Sequence, residues 1–316
     1  MNCLCCGKPL PDSAKAAGWH KACVRRFFGT GELPELDISD PALERLAIES
    51  VGKGYTVPGV QKKLSLHLVS EGKPRLTLMN VPTGYILKPQ VPEFSALPEA
   101  EMLVMCMAEA CGIATVPHAL VVKGNERAYI TKRVDRVIAP GAPAKMLAME
   151  DFCQLDLRLT QDKYRGSYER CAKIIGRYSS RIGLDRSELF LRLAFSFLTG
   201  NSDMHLKNFS LLETAEGSGR YALSPAYDLL PVNVIMPEDT EELALTMNGK
   251  KTNLRRKDFL LFADAAGLGR KPAEKMLGML VSMRPRFAAM IRESLLPEGL
   301  KADFAALLNR RTDALQ

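Results

Sequence analysis

Short strand-like runs fill the first half of the chain, and the first of them alternates apolar and polar residues as a half-buried β-strand does. The sequence LSLHLV at 64–69 is this first run, and the turn-forming residues EGKP separate it from the next run. Between the third and fourth runs, residues 99–111 have helical spacing and Gly112 supplies a helix end. Strands are predicted at 64–69, 75–79, 85–88, 119–123 and 128–133.

The second half of the chain carries apolar residues at the three- and four-residue spacing of helices. A loop rich in Gly, Asn and Asp and a short hairpin interrupt this pattern between 200 and 230. A β-rich part followed by a helical part predicts an α+β protein with two lobes, a smaller mixed β-rich N-lobe and a mainly helical C-lobe. Helices are predicted at 150–160, 167–179, 186–199, 256–266, 271–293 and 301–314.

These patterns divide the chain into four predicted regions. A cysteine-rich start at 1–30 predicts a small zinc knuckle, and a Pro-rich, acidic linker with a helix at 41–50 fills 31–50. Residues 51–148 form the predicted N-lobe, and 149–316 form the predicted helical C-lobe.

Composition narrows the class of protein only slightly. The 316 residues are 47% apolar and 25% charged, as in ordinary globular proteins, and the net charge is +7. A mild positive excess suits phosphate-bearing ligands, although a charge spread for solubility explains it equally well. No secretion signal and no apolar run near the length of a membrane span is visible, so we expect a cytoplasmic protein without disulfides.

The loop at 200–209 carries the sharpest chemical pattern. Asp203 and Asn208 stand five positions apart, which is the spacing of the catalytic base and a metal-binding amide in protein kinases. The neighbouring Lys207 would add positive charge near a transferred phosphoryl group. Taken alone, the pattern is also that of a capped turn, because Asp and Asn are common turn residues.

Three further residues occur in the order that a kinase requires. Asp228 follows a short hairpin and supplies a second oxygen ligand for Mg²⁺. Lys88 ends a strand, where it would bind the phosphates of ATP, and Glu101 begins the next helix, where it would pair with Lys88. Lys88 and Glu101 each have an ordinary structural alternative, a solvated strand-end lysine and a first-turn acid favoured by the helix dipole.

A glycine-bearing basic segment at 52–63 precedes the first strand. It is not a Walker P-loop, but Gly54 and Gly59 would let backbone amides approach phosphate, with Lys62 or Lys63 as a counter-charge. An ordinary turn is the alternative. Five kinase-like parts in sequence order nevertheless favour an ATP- and Mg²⁺-dependent kinase over five separate coincidences.

Five segments of the chain resemble the HipA family of bacterial serine/threonine kinases, which act as toxins of type II toxin–antitoxin systems. The resemblance covers roughly residues 50–290. The segments are VPGVQKKLSL at 57–66, YILKP at 85–89, ITKRVDR at 130–136, MEDFCQ at 149–154 and GNSDMHLKNF at 200–209.

The resemblance implies a role for each matching residue. These roles are a catalytic base, Asp203; Mg²⁺ ligands, Asn208 and Asp228; an ATP lysine, Lys88; phosphate-side loop residues, Gly59 and Lys63; adenine-side hinge residues, Lys132 and Val134; and a regulatory autophosphorylation site, Thr56. Relatives carry serine at the position of Thr56, and threonine keeps the hydroxyl that phosphorylation needs.

The chain reaches its glycine-bearing segment by residue 52, whereas full-length relatives begin with an extra N-terminal subdomain. It therefore looks like the shorter kinases of three-component systems. That analogy implies three partners: a small HipS-like protein, a HipB-like DNA-binding antitoxin and, as substrate, an aminoacyl-tRNA synthetase. We expect no direct sequence-specific DNA binding and no membrane partner.

Two pairs of potential zinc ligands flank a 13-residue gap near the N-terminus: Cys3 with Cys6, and His20 with Cys23. Four such ligands suit a tetrahedral structural zinc, which leaves no open position for catalysis. Cys5 is an alternative to Cys6, and free thiols on a flexible arm are the alternative to a metal site.

Two other functions remain open from the sequence. A small-molecule or lipid kinase of related fold would use the same lysine, loop aspartate and metal aspartate. A kinase-like module without activity, joined to the zinc knuckle, would serve only as a binding partner. The intact set of Asp203, Asn208, Asp228 and Lys88 favours an active enzyme.

Overall fold

A computed structural model describes residues 1–37, 63–69, 72–78, 84–137 and 145–316. The predicted helix at 41–50 lies outside the described residues, as does the glycine-bearing segment up to Lys62, including Thr56 and Gly59. The chain forms two compact units. The first comprises Met1–Met102 and Val116–Ile138, and the second comprises Leu103–Thr115 and Ala139–Gln316.

The first unit is built on a mixed β-sheet. Among the described residues six strands pair in the order β1-β3-β2-β4-β6-β5, with β1 parallel to β3 and the other neighbours antiparallel. The predicted N-terminal knuckle belongs to this same unit. The elements are α1 (Lys21–Phe28), β1 (Glu35–Asp37), β2 (Leu64–Val69), β3 (Arg75–Leu78), β4 (Tyr85–Pro89), α2 (Leu97–Ala110), β5 (His118–Lys123), β6 (Glu126–Lys132) and β7 (Arg136–Val137). The division between the units falls within α2.

All five predicted strands are confirmed, with bounds that differ by at most two residues. The alternation of β2 works as expected, since its Leu64 and Leu66 are buried while Ser65 between them is exposed. Strand β1 was not predicted, because three residues of mixed character give no periodic signal. This strand forms only through its parallel pairing with Arg75–Leu78.

The second unit is mainly helical, and the predicted α+β class is confirmed. A three-stranded sheet of order β11-β10-β9 accompanies its helices within the described residues. The elements are β8 (Lys145–Met146), β9 (Met149–Asp151), α3 (Phe152–Leu155), α4 (Tyr168–Tyr178), α5 (Ile182–Thr199), β10 (Ser210–Glu213), β11 (Tyr221–Leu223), α6 (Val232–Ile235), α7 (Arg256–Ala265), α8 (Arg270–Ser282), α9 (Arg284–Glu293) and α10 (Glu298–Leu315).

Two helix predictions were wrong. The predicted helix at 150–160 is a strand that pairs with β10, followed by one helical turn, because the Asp151 side chain caps α3 by accepting from the Gln154 N–H at 2.9 Å. The predicted helix at 271–293 is two helices, α8 and α9. Pro285 lies in the first turn of α9. The N–H groups of a first turn have no partner within the helix, so proline loses nothing there and favours a new helix start.

Helix α5 is the core of the second unit. Its residues 189–199 are all buried, and it ends at Gly200, whose φ is +71°. A Cβ at this position would lie 3.0 Å from Leu307 Cδ1 of α10. Glycine therefore satisfies both the left-handed helix end and the close approach of α10. Among the described residues no helix is long and apolar enough to span a bilayer.

Two buried charges on α5 hold strand β11 and the residue that follows it. Asp185 Oδ2 accepts from the Leu223 N–H at 2.8 Å and from Ser179 Oγ at 2.6 Å. Two turns further on, Arg192 donates to the Ser224 carbonyl at 2.7 Å, and burial lowers the pKa of its guanidinium. These bonds fix the backbone of β11 and of the segment after it.

Replacement of Asp185 should therefore destabilise the protein. Asp185→Ala leaves the buried Leu223 N–H and the Ser179 hydroxyl without this acceptor, at a cost of about 1–3 kcal/mol for each group. We expect the free energy of unfolding, measured by denaturant titration, to fall by about 2–5 kcal/mol. The control Asp264→Ala removes an exposed carboxylate of α7. Equal stability of the two variants would contradict this role of Asp185.

Candidate active site

The loop between α5 and β10 is held by hydrogen bonds among its own residues. Asn208 Nδ2 donates to the Asp203 carbonyl at 2.8 Å, and the His205 N–H donates to the same carbonyl at 2.8 Å. Because the amide nitrogen of Asn208 is used in this way, its amide oxygen is the atom suited to a cation. The loop thus fixes a carboxylate and an amide oxygen, predicted to be the base and a metal ligand, relative to each other.

Tyr164 contacts the carboxylate of Asp203. Its hydroxyl donates to Asp203 Oδ1 at 2.7 Å, and its ring packs edge-on against His205 at 5.1 Å between centroids. Burial, and then the negative charge of Asp203, raise the pKa of the Tyr164 phenol. The phenol therefore stays protonated and remains a donor, which restricts the rotation of the Asp203 carboxylate.

Lys207 points to a carboxylate on a neighbouring strand. Its Nζ lies 2.6 Å from Oδ2 of Asp151, the residue that also caps α3. The side chain of Lys207 is one-third exposed, so the pair keeps contact with solvent. Asp151 thereby directs the ammonium group of Lys207, which lies within the 200–209 loop.

Asp228 follows β11 in an unusual backbone conformation. Its φ is +61°, a region that few residues other than glycine adopt and that costs about 1–3 kcal/mol. The adjacent Tyr227 donates to the Lys207 carbonyl at 3.0 Å and shares a hydrogen bond of 2.6 Å with Ser210. The residue before Asp228 is therefore tied to the residue before Asn208, which brings the two predicted metal ligands to one region.

Several carboxylates concentrate negative charge in this region. Asp203, Asp239 and Asp228 all act on the Tyr164 phenol, and each raises its pKa. Oxygen ligands of this kind, on separate loops, fit Mg²⁺, which usually completes its shell with water and phosphate oxygens. Asn208 and Asp228 are the residues that would hold this ion, and its charge would offset the repulsion among the carboxylates.

In the first unit, Lys88 and Glu101 form a buried ion pair. Lys88 Nζ lies 2.5 Å from Glu101 Oε1, and the two side chains are 4% and 0% exposed. The ammonium group also lies 5.3 Å from the ring centroid of Tyr129, the cross-strand neighbour of Lys88 on β6. A strand lysine paired with a helix glutamate is the arrangement that protein kinases use to bind ATP phosphates.

The remaining predicted nucleotide-side residues are only partly described. Lys63 is exposed immediately before β2, whereas Gly59 and Thr56 lie outside the described residues. At the predicted hinge, the Lys132 N–H donates to the Pro117 carbonyl at 2.9 Å. Val134 lies in the turn that follows β6.

The predicted zinc ligands come together near the N-terminus. One sulfur or nitrogen atom from each of Cys3, Cys6, His20 and Cys23 lies within 4.8 Å of every other. His20 Nδ1 is 3.4 Å from the Cys6 sulfur and 3.9 Å from the Cys23 sulfur. Tetrahedral zinc with bonds of about 2.0–2.3 Å places its ligand atoms about 3.5–3.8 Å apart, so these residues fit the metal.

Three residues beside the 200–209 loop were not predicted from the sequence. Tyr164 and Asp239 gave no signal, because an isolated tyrosine and a turn aspartate are common in any sequence. Asp151 lies within the MEDFCQ segment that resembles the HipA family, and this signal marked the segment without assigning the residue a role.

Comparison with known proteins identifies the family. A profile of the HipA-like C-terminal domain matches residues 55–287. The protein named "Putative kinase Y4mE" of Sinorhizobium fredii is 28% identical over 77% of this chain, and "Putative kinase Y4dM" of the same species is 32% identical over 69%. This chain spans 58% and 55% of the lengths of those two relatives.

Two solved structures share the fold. In the Shewanella oneidensis complex of HipA, HipB and operator DNA, one chain matches with a TM-score of 0.69 and 22% identity, covering 82% of this chain and 64% of that one. The Helicobacter pylori proinflammatory kinase CtkA matches with a TM-score of 0.55 and 16% identity, covering 76% of this chain and 87% of that one. The kinase-like fold predicted from the sequence is thus confirmed.

The role of the buried ion pair can be tested through protein stability, without an activity assay. Lys88→Met leaves the Glu101 carboxylate buried without its partner, so the free energy of unfolding should fall by about 3–5 kcal/mol. Adding Glu101→Gln should restore at least about 1 kcal/mol of that loss, measured as a double-mutant cycle by denaturant titration.

A second ion pair on the same sheet provides the control. Lys73 and Glu35 lie 2.9 Å apart, but their side chains are exposed. Lys73→Met should therefore unfold at nearly the same denaturant concentration as the unaltered protein. Additive effects of Lys88→Met and Glu101→Gln would contradict the coupling of the buried pair.

Proposed function

Because the chain belongs to the family of the HipA-like C-terminal domain, whose curated relatives carry kinase names, we propose that it is an ATP- and Mg²⁺-dependent serine/threonine protein kinase. The observation that carries this proposal is the bond from Asn208 Nδ2 to the Asp203 carbonyl. It joins the proposed base and a proposed metal ligand in one rigid loop at the kinase spacing.

Asp203 is the proposed general base. Its carboxylate accepts the proton of a serine or threonine hydroxyl as that oxygen bonds to the γ-phosphorus of ATP and the bond to the bridging β–γ oxygen breaks, which releases ADP. Tyr164 holds one carboxylate oxygen at 2.7 Å and directs the other toward the substrate. Bound Mg²⁺ would neutralise phosphate charge, and Asn208 and Asp228 would hold it.

Lys88 is the proposed ligand of the α- and β-phosphates. Glu101 holds its ammonium group at 2.5 Å, so the lysine pays little conformational entropy when it binds a phosphate oxygen. Lys207, directed by Asp151, is the proposed source of positive charge beside the transferred phosphoryl group. Lys63 and Gly59 are proposed for the phosphate-side loop, and the backbone at Lys132 and Val134 for the adenine side.

We also propose a biological setting, by analogy with the family. The Shewanella oneidensis structure contains HipA with HipB and operator DNA, which supports a HipB-like antitoxin as a partner of this chain. A role as the toxin of a type II toxin–antitoxin system follows from that analogy. A small HipS-like partner, an aminoacyl-tRNA synthetase as substrate and autophosphorylation at Thr56 are proposed from the resemblance to the family alone.

Phosphoryl transfer should depend on the Asp203 carboxylate. With Mg²⁺ and γ-labelled ATP, Asp203→Asn should lower the rate of protein labelling by about 10²–10⁴-fold while it leaves the thermal unfolding temperature nearly unchanged. Asparagine keeps the size and the hydrogen bond from Tyr164 but cannot accept the proton. Mass spectrometry locates the phosphate on the chain itself or on proteins of a cell extract.

Asp303→Asn is the matched control, because it makes the same change on an exposed face of α10. It should label protein at the rate of the unaltered chain. Full activity of a folded Asp203→Asn variant would contradict the assignment of the base. Label found only in small molecules or lipids would replace the protein kinase with a kinase of another substrate class.

A further inference from the structure

The segment that carries the four clustered ligands covers one edge of the sheet in the first unit. Strand β5 is the last strand in the order β1-β3-β2-β4-β6-β5, and one side of it therefore lacks a strand partner within the described sheet. On that side the Leu120 N–H donates to the Leu4 carbonyl at 2.9 Å. The indole Nε1 of Trp19 donates to the Leu120 carbonyl at 3.1 Å.

Helix α1, which begins directly after His20, packs on the middle of the same sheet. The rings of Phe27 and Phe28 lie 6.0 and 5.5 Å from the ring of Tyr85, and the Tyr85 hydroxyl donates to the Phe27 carbonyl at 3.4 Å. Trp19 completes this aromatic cluster at 5.6 and 5.5 Å from the same two rings. Tyr85 lies on β4, three residues before Lys88.

The turns that hold this segment are very short. Backbone bonds from Cys3 N–H to the Lys8 carbonyl and from Gly7 N–H to the Cys3 carbonyl form a tight loop around the first pair of ligands. The 3-10 helix at Asp12–Ala14 has no buried residue. Between the two ligand pairs only Leu10, Gly18 and Trp19 are buried, so a metal cross-link would add to the order of this loop.

The positions of the ligand atoms suit a bound metal ion. His20 Nε2 contacts the Pro9 carbonyl at 2.9 Å, which leaves Nδ1 as the ring nitrogen facing the three sulfur atoms. A backbone carbonyl on the second ring nitrogen is the usual support of a metal-binding histidine. The His20 N–H also points to the Cys3 sulfur at 3.5 Å, a contact that holds the two ligand pairs together.

We propose that Cys3, Cys6, His20 and Cys23 bind one structural Zn²⁺, and that this ion clamps the N-terminal segment onto the β5 edge and onto Tyr85 of the strand that carries Lys88. Three thiolates and one imidazole match the ligand preference of zinc, and four protein ligands close its coordination shell. The clamp is a folding device of the sheet and is independent of the proposed phosphoryl transfer.

Metal content tests the ligand set. Protein purified without chelator should contain about one zinc per chain by elemental analysis. Cys6→Ser should lose most of it. The neighbouring Cys5→Ser should retain it, because Cys5 lies outside the cluster and its sulfur faces Arg26 at 3.9 Å. Absence of zinc from the unaltered protein, or equal loss in both variants, would overturn the site.

Hydrogen exchange tests the clamp in the unaltered chain, so a variant that fails to fold cannot obscure the result. The Leu120 amide reports directly on the bond to Leu4. Removal of zinc with a chelator should raise its exchange rate at least about tenfold, and added ZnCl₂ should restore protection. The amides of β10 in the second unit should not change. Zinc removal without faster exchange at Leu120 would overturn the coupling.

Discussion

The buried helix α5 fixes the parts of the second unit on which its chemistry depends. Residues 189–199 are enclosed over their whole length, so the point at which the polar loop begins is set by packing and not by the loop itself. The same helix carries Asp185 and Arg192, whose buried charges bind the backbone at Leu223 and Ser224. One rigid element therefore positions both the Asp203 loop and the segment that leads to Asp228.

This arrangement explains how a strained residue persists. Asp228 adopts a φ of +61°, and the surrounding bonds must offset the cost of that conformation. Arg192 and Asp185 hold the chain before it, and Tyr227 ties it to the Lys207 carbonyl. A site held in this way needs little rearrangement when its ligand binds, which is the basis of electrostatic preorganisation.

Local patterns made the strands and most helices of this protein predictable. Alternation identified β2, whose Leu64 and Leu66 enter the core, whereas β5 and β6 each contain four consecutive buried residues and show no alternation. Local patterns failed where tertiary contacts decide the structure, at β1, which forms only through pairing with β3, and at residues 150–160, where the Asp151 cap and pairing with β10 replace a helix.

The candidate site was predictable to the extent that its chemistry is local in sequence. The spacing of Asp203 and Asn208 is visible in any reading of the loop, and the order of Lys88, Glu101 and Asp228 adds to it. Tyr164 was not predictable, because its contact with Asp203 spans 39 residues and depends on how α4 and α5 pack. The same holds for Arg192, which reads as an ordinary helix residue until its burial is known.

The most direct test of the account is the effect of Mg²⁺ on the affinity for a non-hydrolysable ATP analogue, measured by equilibrium dialysis. The proposed ligands Asn208 and Asp228 would bind the ion together with the phosphates, so Mg²⁺ should tighten binding to the unaltered chain by at least about tenfold. In Asp228→Asn that gain should fall to about twofold or less. No binding of the analogue, or the same gain from Mg²⁺ in both proteins, would contradict the account.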